Sequence, residues 1–493
     1  MVDNILAGIS IAFTFWNLFA AVFGTALGIL VGALPGLTAT MGVALLVPVT
    51  YVMEPVTGLI MLCGIYCGAI YGGSIPGILL NTPGTPAAIM TMVDGNLMTK
   101  NGEAKTALST AAIASTVGGL ISAFALLFLS PPLANFALKF GPPEYFCLAL
   151  FGMTIISSLT ADAMIKGLII GFLGVFISTI GLDPAEGIPR FTFDNPNLFE
   201  GFGIVPVLIG LFSIPEALSL TGELSSPHAA VGRPTGKLLL KFSEYLRMGS
   251  LFVKSSLIGA IIGIIPAAGP EIAPFVSYRE AKRSSKIAKR YGTGIPDGIV
   301  ASESANNGVT GGSLIPLLTL GIPGSAVAAV YLGALTIHGL RPGPMLFVKN
   351  PDLIYGLFIG FFIVQFALCA MALPGSAFFA QVVRLPRHII AAYIFFFSVI
   401  GSLAMNANIF DVWVMFGFGI LGYVMKKLGF PAPPIVLGLV LGPMLELNLF
   451  ASLSMSHGSF LIFITRPLSL IILAIAAFAI MAPYFGSIKK LLK

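Results

Sequence analysis

Apolar stretches of about 20 residues, the length that crosses a bilayer as a helix, recur from one end of this chain to the other. Ile11–Leu34, Val56–Leu80, Ala107–Leu129 and Leu353–Leu373 are examples. Only 9% of the 493 residues are charged, against the roughly 25% with which a soluble domain covers its surface. The chain is therefore expected to be a polytopic membrane protein. A soluble enzyme, a nucleic-acid-binding module and a disordered scaffold are excluded. Leu168–Ile180 and Leu468–Met481 are apolar all round and lack the two-residue alternation of barrel strands. The fold class is all-α, with roughly 10–14 crossing or re-entrant segments of about 20 residues each.

The net charge of +6 reflects basic residues held in loops on the cytoplasmic side. Cys63, Cys67, Cys147 and Cys369 lie inside apolar runs, and the first two are spaced i, i+4. Core packing is expected of them, not a disulfide frame or a zinc site. No basic residue precedes Lys100, so a signal peptide is not expected.

Many of the 57 glycines and 34 prolines sit inside apolar sequence. Gly32-Ala33-Leu34-Pro35-Gly36, Gly72-Gly73-Ser74-Ile75-Pro76-Gly77 and Asn81-Thr82-Pro83-Gly84-Thr85-Pro86 are the densest runs. Proline removes a backbone donor, so such runs are expected to break helices at membrane depth. Broken backbone is tolerated there only when buried in protein or lining a watery cavity.

The arrangement occurs twice. Gly28, Gly32 and Pro35 align with Gly259, Gly263 and Pro266 at an offset of 231. Gly73-Ser74 aligns with Gly312-Ser313 at 239, Pro83-Gly84-Thr85 with Pro323-Gly324-Ser325 at 240, and Lys100-Asn101 with Lys349-Asn350 at 249. A common order with a slowly drifting offset is read as two homologous membrane repeats, 1–225 and 250–493, joined by a cytoplasmic or interfacial linker, 226–249.

The most basic stretch, 233–290, falls at this junction and is placed on the cytoplasmic side. Lys237 to Arg247 reads as an amphipathic interfacial helix, and Arg279, Lys282, Lys286 and Lys289 as the basic face of a second. With Arg247 and Arg279 on one side, the apolar segment between them becomes a re-entrant hairpin with its tip at Pro266–Pro270. The segment around Pro35-Gly36 would be its counterpart, entering from the opposite face if the repeat is inverted.

Paired interrupted segments in two halves are the sequence pointer to a transporter binding site. A broken helix frees N–H groups that favour an anion and C=O groups that hold a small cation. Polar residues concentrate there: Thr38, Thr40, Ser74, Asn81, Thr82 and Thr85, then Ser302, Glu303, Ser304, Asn306, Asn307, Thr310, Ser313, Thr319 and Ser325. Single hydroxyls can equally mend broken helices, whereas amides need several partners. Glu303 is costly in an apolar bundle. It can bind a coupling cation, carry a proton or brace an Asn306-Asn307 turn. Asp94 and Asp297 flank the broken regions as candidate helix caps, and Glu271 is expected at a hairpin mouth. The four histidines are scattered without metal-ligand spacing, and no Walker A motif is present, so an enzyme is not expected.

At these motifs the chain resembles a known family. GALPGLTATMGVALLVPVTY (32–51), YGGSIPGILLNTPGTPAA (71–88) and SANNGVTGGSLIPLLTLGIPGSAVAAVYLGALTIHGLRPGP (304–344) are similar to the large membrane subunit, TctA type, of tripartite tricarboxylate transporters. The resemblance implies a cation-coupled uptake system of the bacterial inner membrane. It implies a periplasmic solute-binding protein that delivers a carboxylate, a small membrane subunit, and inverted repeats with a moving transport domain and a fixed scaffold. The expected substrate residues are Thr38, Ser74, Asn81, Thr82, Pro83, Gly84, Thr85, Asn306, Asn307, Ser313, Pro323, Gly324 and Ser325. Gly36, Thr40, Glu303 and Thr319 are the expected coupling-ion residues. No cofactor is expected beyond a coupling Na⁺ or H⁺. The competing classes are a non-transporting scaffold or receptor and a passive channel.

Overall fold

The computed structural model describes residues 2–34, 36–159, 164–183, 186–222, 234–265, 269–382 and 386–478. Before residue 225 the helices are α1 (Val2–Ala12), α2 (Phe15–Ala33), α3 (Ala39–Thr50), α4 (Pro55–Gly72), α5 (Ser74–Leu80), α6 (Ile89–Lys100), α7 (Ala104–Ala137), α8 (Pro142–Leu159), α9 (Met164–Ser178), α10 (Ile204–Phe212) and α11 (Ile214–Gly222). Then follow α12 (Phe242–Arg247), α13 (Gly249–Ile264), α14 (Gly269–Ser284), α15 (Pro296–Leu320), α16 (Ala326–Ile337), α17 (Pro344–Lys349) and α18 (Pro351–Val382). The last are α19 (Arg387–Asn406), α20 (Ile409–Lys427), α21 (Pro433–Met455), α22 (Ile462–Thr465) and α23 (Pro467–Phe478). Among the described residues the strands are one short pair, Gly181–Leu182 with Pro189–Arg190. Among the described residues eight helices are long and apolar enough to cross a membrane, and six further apolar helices run 10–17 residues. The chain is an all-α, multi-pass membrane protein.

Contacts divide it into two units, 1–134 with 216–397 and 135–215 with 398–493. In the first unit α2 lies along α4, and α13 along α15. Glycine makes both approaches possible. A Cβ on Gly68 would stand 2.9 Å from Ile29 N, and one on Gly308 would stand 3.4 Å from Ala260 N. Gly68 and Gly308 are 240 apart, Ile29 and Ala260 231 apart. At the offset of 231, Thr25 returns its hydroxyl to Ala21 O (2.6 Å) and Ser256 to Phe252 O (2.7 Å).

Of the three runs, Gly32–Gly36 and Asn81–Pro86 fall at helix breaks, whereas Gly72–Gly77 does not. Gly73 joins α4 to α5 in helical geometry, and α15 continues through Gly311-Gly312-Ser313. These glycines serve close packing, and Pro76 stands in the first turn of α5, where its missing N–H is harmless. Two breaks come at Asn81 (φ 59°) and Gly321 (φ 75°), left-handed helix ends 240 residues apart. After each, the chain turns back: Gly84 N donates to Gly73 O (2.9 Å) and Gly324 N to Ser313 O (3.3 Å). The partner of Gly73 at this offset is Ser313, one residue from the alignment drawn on sequence. Asn306-Asn307 is not a turn but lies mid-helix in α15.

α13 and α14 run antiparallel, because Lys254 near the start of α13 donates to Glu280 (2.8 Å) and Ser284 (3.0 Å) at the end of α14. Arg283 and then Lys254 hold the Glu280 carboxyl down at about 2. The expected tip at Pro266–Pro270 falls partly on 266–268, outside the described residues. Glu271, next to that stretch and far along α14 from Glu280, is exposed.

Two sequence expectations for the basic stretch are corrected. Only Phe242–Arg247 is helical. Before it, the carbonyls of Thr235 and Lys237 accept from Lys105 N (2.8 Å) and Thr106 (2.7 Å) at the start of α7, so they are not available to a helix. The second basic row is also shorter: α14 stops at Ser284, leaving Lys286 and Lys289 beyond it.

Packing across the sequence is reciprocal in this unit. α3 packs on α16, while α14 packs on α6 and the turn Pro86–Ala88. α18 lies on α4, while α7 lies on α15, where a Cβ on Gly118 would stand 3.0 Å from Ser304 Cα.

In the second unit α21 packs on α8 and α9, and α10 on α20. A Cβ on Gly438 would stand 2.7 Å from Val175 N. Glu144, 1% exposed, is held by Arg466 (2.7 Å), Ser469 (2.8 Å) and Gly141 N (2.9 Å).

Candidate functional site

Every sequence-expected site residue falls in the first unit. Glu303, fully buried in α15, gathers hydroxyls from three other helices. Ser74 at the start of α5 and Thr91 of α6 (2.6 Å) donate to its Oε1, and Ser115 of α7 (2.8 Å) donates to Oε2. Thr91 also bonds Ser302 at 2.8 Å. Ser74, expected at the substrate, thus stands at the carboxyl instead. Thr91 and Ser115 were not found on sequence, because one hydroxyl in an apolar helix carries no spacing signal.

One turn beyond Glu303, Asn306 and Asn307 are fully buried, and their carboxamides make no hydrogen bond of normal geometry. Asn306 stands close enough to act on the Glu303 carboxyl. Buried polar groups are nearly always paired, and each exception calls for an explanation. Gln365 of α18, also missed on sequence, meets Cys67 with its Nε2 (3.2 Å) and leaves Oε1 unpaired.

The two turns form a second arrangement. In one, Gly84 and Thr85 sit against Gly73, and the buried Thr85 hydroxyl is unpaired. In the other, Ser325 caps α16 by accepting from Ala328 N (3.1 Å), and Gly324 packs on Ser313. Tyr66 of α4 joins this second turn, bonding Ser313 (3.3 Å) and Ser325 (3.4 Å). Pro323 is buried, Pro83 half-buried, and Asn81 and Thr82 are exposed. The ends of α3 and α16 created by the breaks are both capped by side chains, Thr38 accepting from Met41 N at 3.2 Å.

The expected ion residues are not brought together. Thr319 returns its hydroxyl to Ile315 O (2.7 Å), and Gly36 (φ 94°) turns the chain against Leu220 and Glu216. Thr40 is buried in the first turn of α3. Asp94 does cap, but it caps a loop. It accepts from Gly294 N (2.8 Å), Ile295 N (3.1 Å), Gly292 N and Tyr278 (2.7 Å), fixing the approach to α15. Asp297 pairs with Arg247 at 2.8 Å. A cavity of about 510 Å³ between α2, α3 and α19 is lined by groups such as Val31, Leu45 and Ile390; it is apolar and unsuited to a carboxylate.

Helices broken at matched positions around buried amides and a lone acid define a membrane transport protein. Residues 18–437 match the tripartite tricarboxylate transporter TctA family, and the chain belongs to that family. It is a transporter family, not an enzyme family, and a tripartite system implies partner subunits. The chain is 36% identical, over 99% of its length and 97% of the relative's, to an uncharacterized 52.8 kDa protein in the TAR-I ttuC′ 3′ region of Agrobacterium vitis. It is 34% identical, over 47% of its length and 96% of the relative's, to an uncharacterized protein in the TAR-II ttuC′ 3′ region of the same organism. No solved structure matches it.

Proposed function

We propose that this chain is the large membrane subunit of a symport system that imports a tricarboxylate or related organic acid across the bacterial cell inner membrane. It takes the substrate from a periplasmic binding protein, works beside a small membrane subunit, and draws on a Na⁺ or H⁺ gradient. The observation that carries this reading is the pair of matched turns, Asn81–Thr85 and Gly321–Ser325, each closed by a glycine N–H on the preceding helix. Helix ends of this kind, at corresponding places in two repeats, are where secondary transporters hold anions and coupling ions. The buried, unpaired amide of Asn307 supplies donors that no protein group uses. Gly84, Thr85, Ser313, Gly324 and Ser325 keep the substrate assignment. Ser74 passes to Glu303 and the coupling ion. The reciprocal packing supports two repeats, and we assign them an inverted relation.

The test is uptake of labelled carboxylates, from dicarboxylates to citrate, into proteoliposomes holding this subunit, its small partner and the binding protein. Na⁺ and pH gradients are imposed separately. Uptake that requires the binding protein and one gradient is expected. Equilibration without any gradient would leave a channel, and no uptake by a folded, complete complex would leave a scaffold.

A further inference from the structure

Glu303 has no positive partner: among the described residues no lysine, arginine or histidine makes an ion pair with it. Its oxygens are covered by neutral groups, the hydroxyls of α5, α6 and α7 with the Asn306 carboxamide close by. A hydroxyl both donates and accepts. Three hydroxyls can therefore point at an ionised carboxylate, or one can turn to accept from the protonated acid, without any heavy atom moving far. The Asn306 carboxamide stands beside the carboxyl, and the unpaired hydroxyl of Tyr71, on α4, lies within its electrostatic reach.

The spacing within this cage is that of a closed hydrogen-bond network. A cation of the size of Ca²⁺ or Na⁺ sits about 2.3–2.6 Å from each oxygen, which spreads neighbouring ligands to roughly 3.3 Å or more. Here Thr91 stands 2.6 Å and Ser115 2.8 Å from the carboxyl oxygens, and Thr91 stands 2.8 Å from Ser302. The oxygens are closed on one another at hydrogen-bond distance.

We propose that Glu303 is the group that takes up and releases a coupling proton, one per transport cycle. The carboxylate binds the proton from one side of the membrane, becoming a neutral acid, and gives it up to the other. The proposal rests on the coupled-carrier reading above and names its ion. The route to the substrate is short. Ser74 follows Gly73, whose carbonyl holds Gly84 N (2.9 Å) and with it the turn after α5. A change in which partner the Ser74 hydroxyl faces acts at the root of that turn.

Other ionisable groups on the packed elements are already committed or lie elsewhere. Asp94 on α6 holds Tyr278 of α14 and three loop amides. Glu271 of α14 is exposed, and Lys254 of α13 is clasped by Glu280. Cys67 of α4 meets Gln365. With its carboxyl held at about 2, Glu280 does not titrate near neutral pH.

The experiment uses the complete complex in proteoliposomes and the carboxylate that it is found to carry. Two modes are read: accumulation driven by an acid-outside pH gradient, and counterflow of labelled against unlabelled substrate with no ion gradient. The wild type performs both. Glu303→Gln, a neutral isostere of the protonated acid, is expected to lose accumulation to background and to keep counterflow. Accumulation retained in the folded variant overturns the proposal, as does loss of counterflow. Wild-type accumulation driven by Na⁺ at constant pH, and not by the pH gradient, overturns it too. If the wild type neither accumulates nor exchanges, the carrier reading itself fails. Should Glu303→Gln not fold, Thr91→Val and Ser115→Ala must each shift the pH of half-maximal uptake; an unchanged pH profile in both overturns the proposal.

Discussion

Two neighbouring residues in one helix separate structural from functional polarity. Asn307 is fully buried with both carboxamide atoms unpaired, while Thr310, one turn on, returns its hydroxyl to Asn307 O at 2.6 Å. An unpaired buried polar group destabilises by about 1–3 kcal/mol. Asn307→Ala should therefore leave thermal stability in detergent unchanged or raised, while carboxylate uptake falls. A lower unfolding midpoint with uptake intact would return Asn307 to a structural role. The sequence points to these amides because their side chains are costly in hydrocarbon. It points to Glu303 for the same reason. What it does not disclose is Thr91, Ser115 and Gln365, which become significant only through the distant helices that they meet. Asn81 and Thr82 mislead in the opposite way: their motif is distinctive, yet its marked constraint is the left-handed backbone at Asn81 that ends α5.

At the scale of elements, the hairpin of α13 and α14 is the clearest case of length setting topology. Each arm has 16 residues, about 24 Å of helix against a hydrocarbon core of about 30 Å. Lys254, Glu280 and Ser284 fasten the two open ends together. Cysteines placed at Gly249 and Arg283 should label from the same face of the membrane with an impermeant reagent, and one at Ile265 should not label from that face. Labelling at Gly249 and Arg283 from opposite faces would show a full crossing. The antiparallel course of the two arms agrees with the charge pattern that puts Arg247 and Arg279 on one side, and the labelling decides that sidedness. The helix breaks at Gly32–Gly36 and Asn81–Pro86 were legible, while Gly72–Gly77 read as a break and is not one. Glycine marks both a close helix contact and a broken helix, and only neighbouring backbone, as at Gly68 and Gly308, tells the two apart.

On the scale of the whole molecule, the reciprocal packing of α3 on α16 with α14 on α6, and of α18 on α4 with α7 on α15, is what a two-fold axis produces. Each proposed repeat then lacks a core of its own, because its helices are completed by the other. Coexpressed fragments 1–225 and 226–493 should copurify, and each should be degraded when made alone. A fragment 1–225 that is stable in isolation would mean tandem, self-sufficient repeats. The hydroxyl cage around Glu303 is an extreme case of this dependence. Ser74, Thr91 and Ser115 are all translated before the carboxylate that they serve, Ser115 by 188 residues. At a synthesis rate of about 5–20 residues per second, the ribosome needs roughly 10–40 s to bridge that gap. During that interval the early helices wait in the membrane with an unfilled polar seat. α15, with Ser302, Glu303, Ser304, Asn306 and Asn307 in close succession, is too polar for lipid to receive unaided. Biogenesis is therefore ordered: the amino-terminal helices act as the template onto which the insertion machinery hands α15.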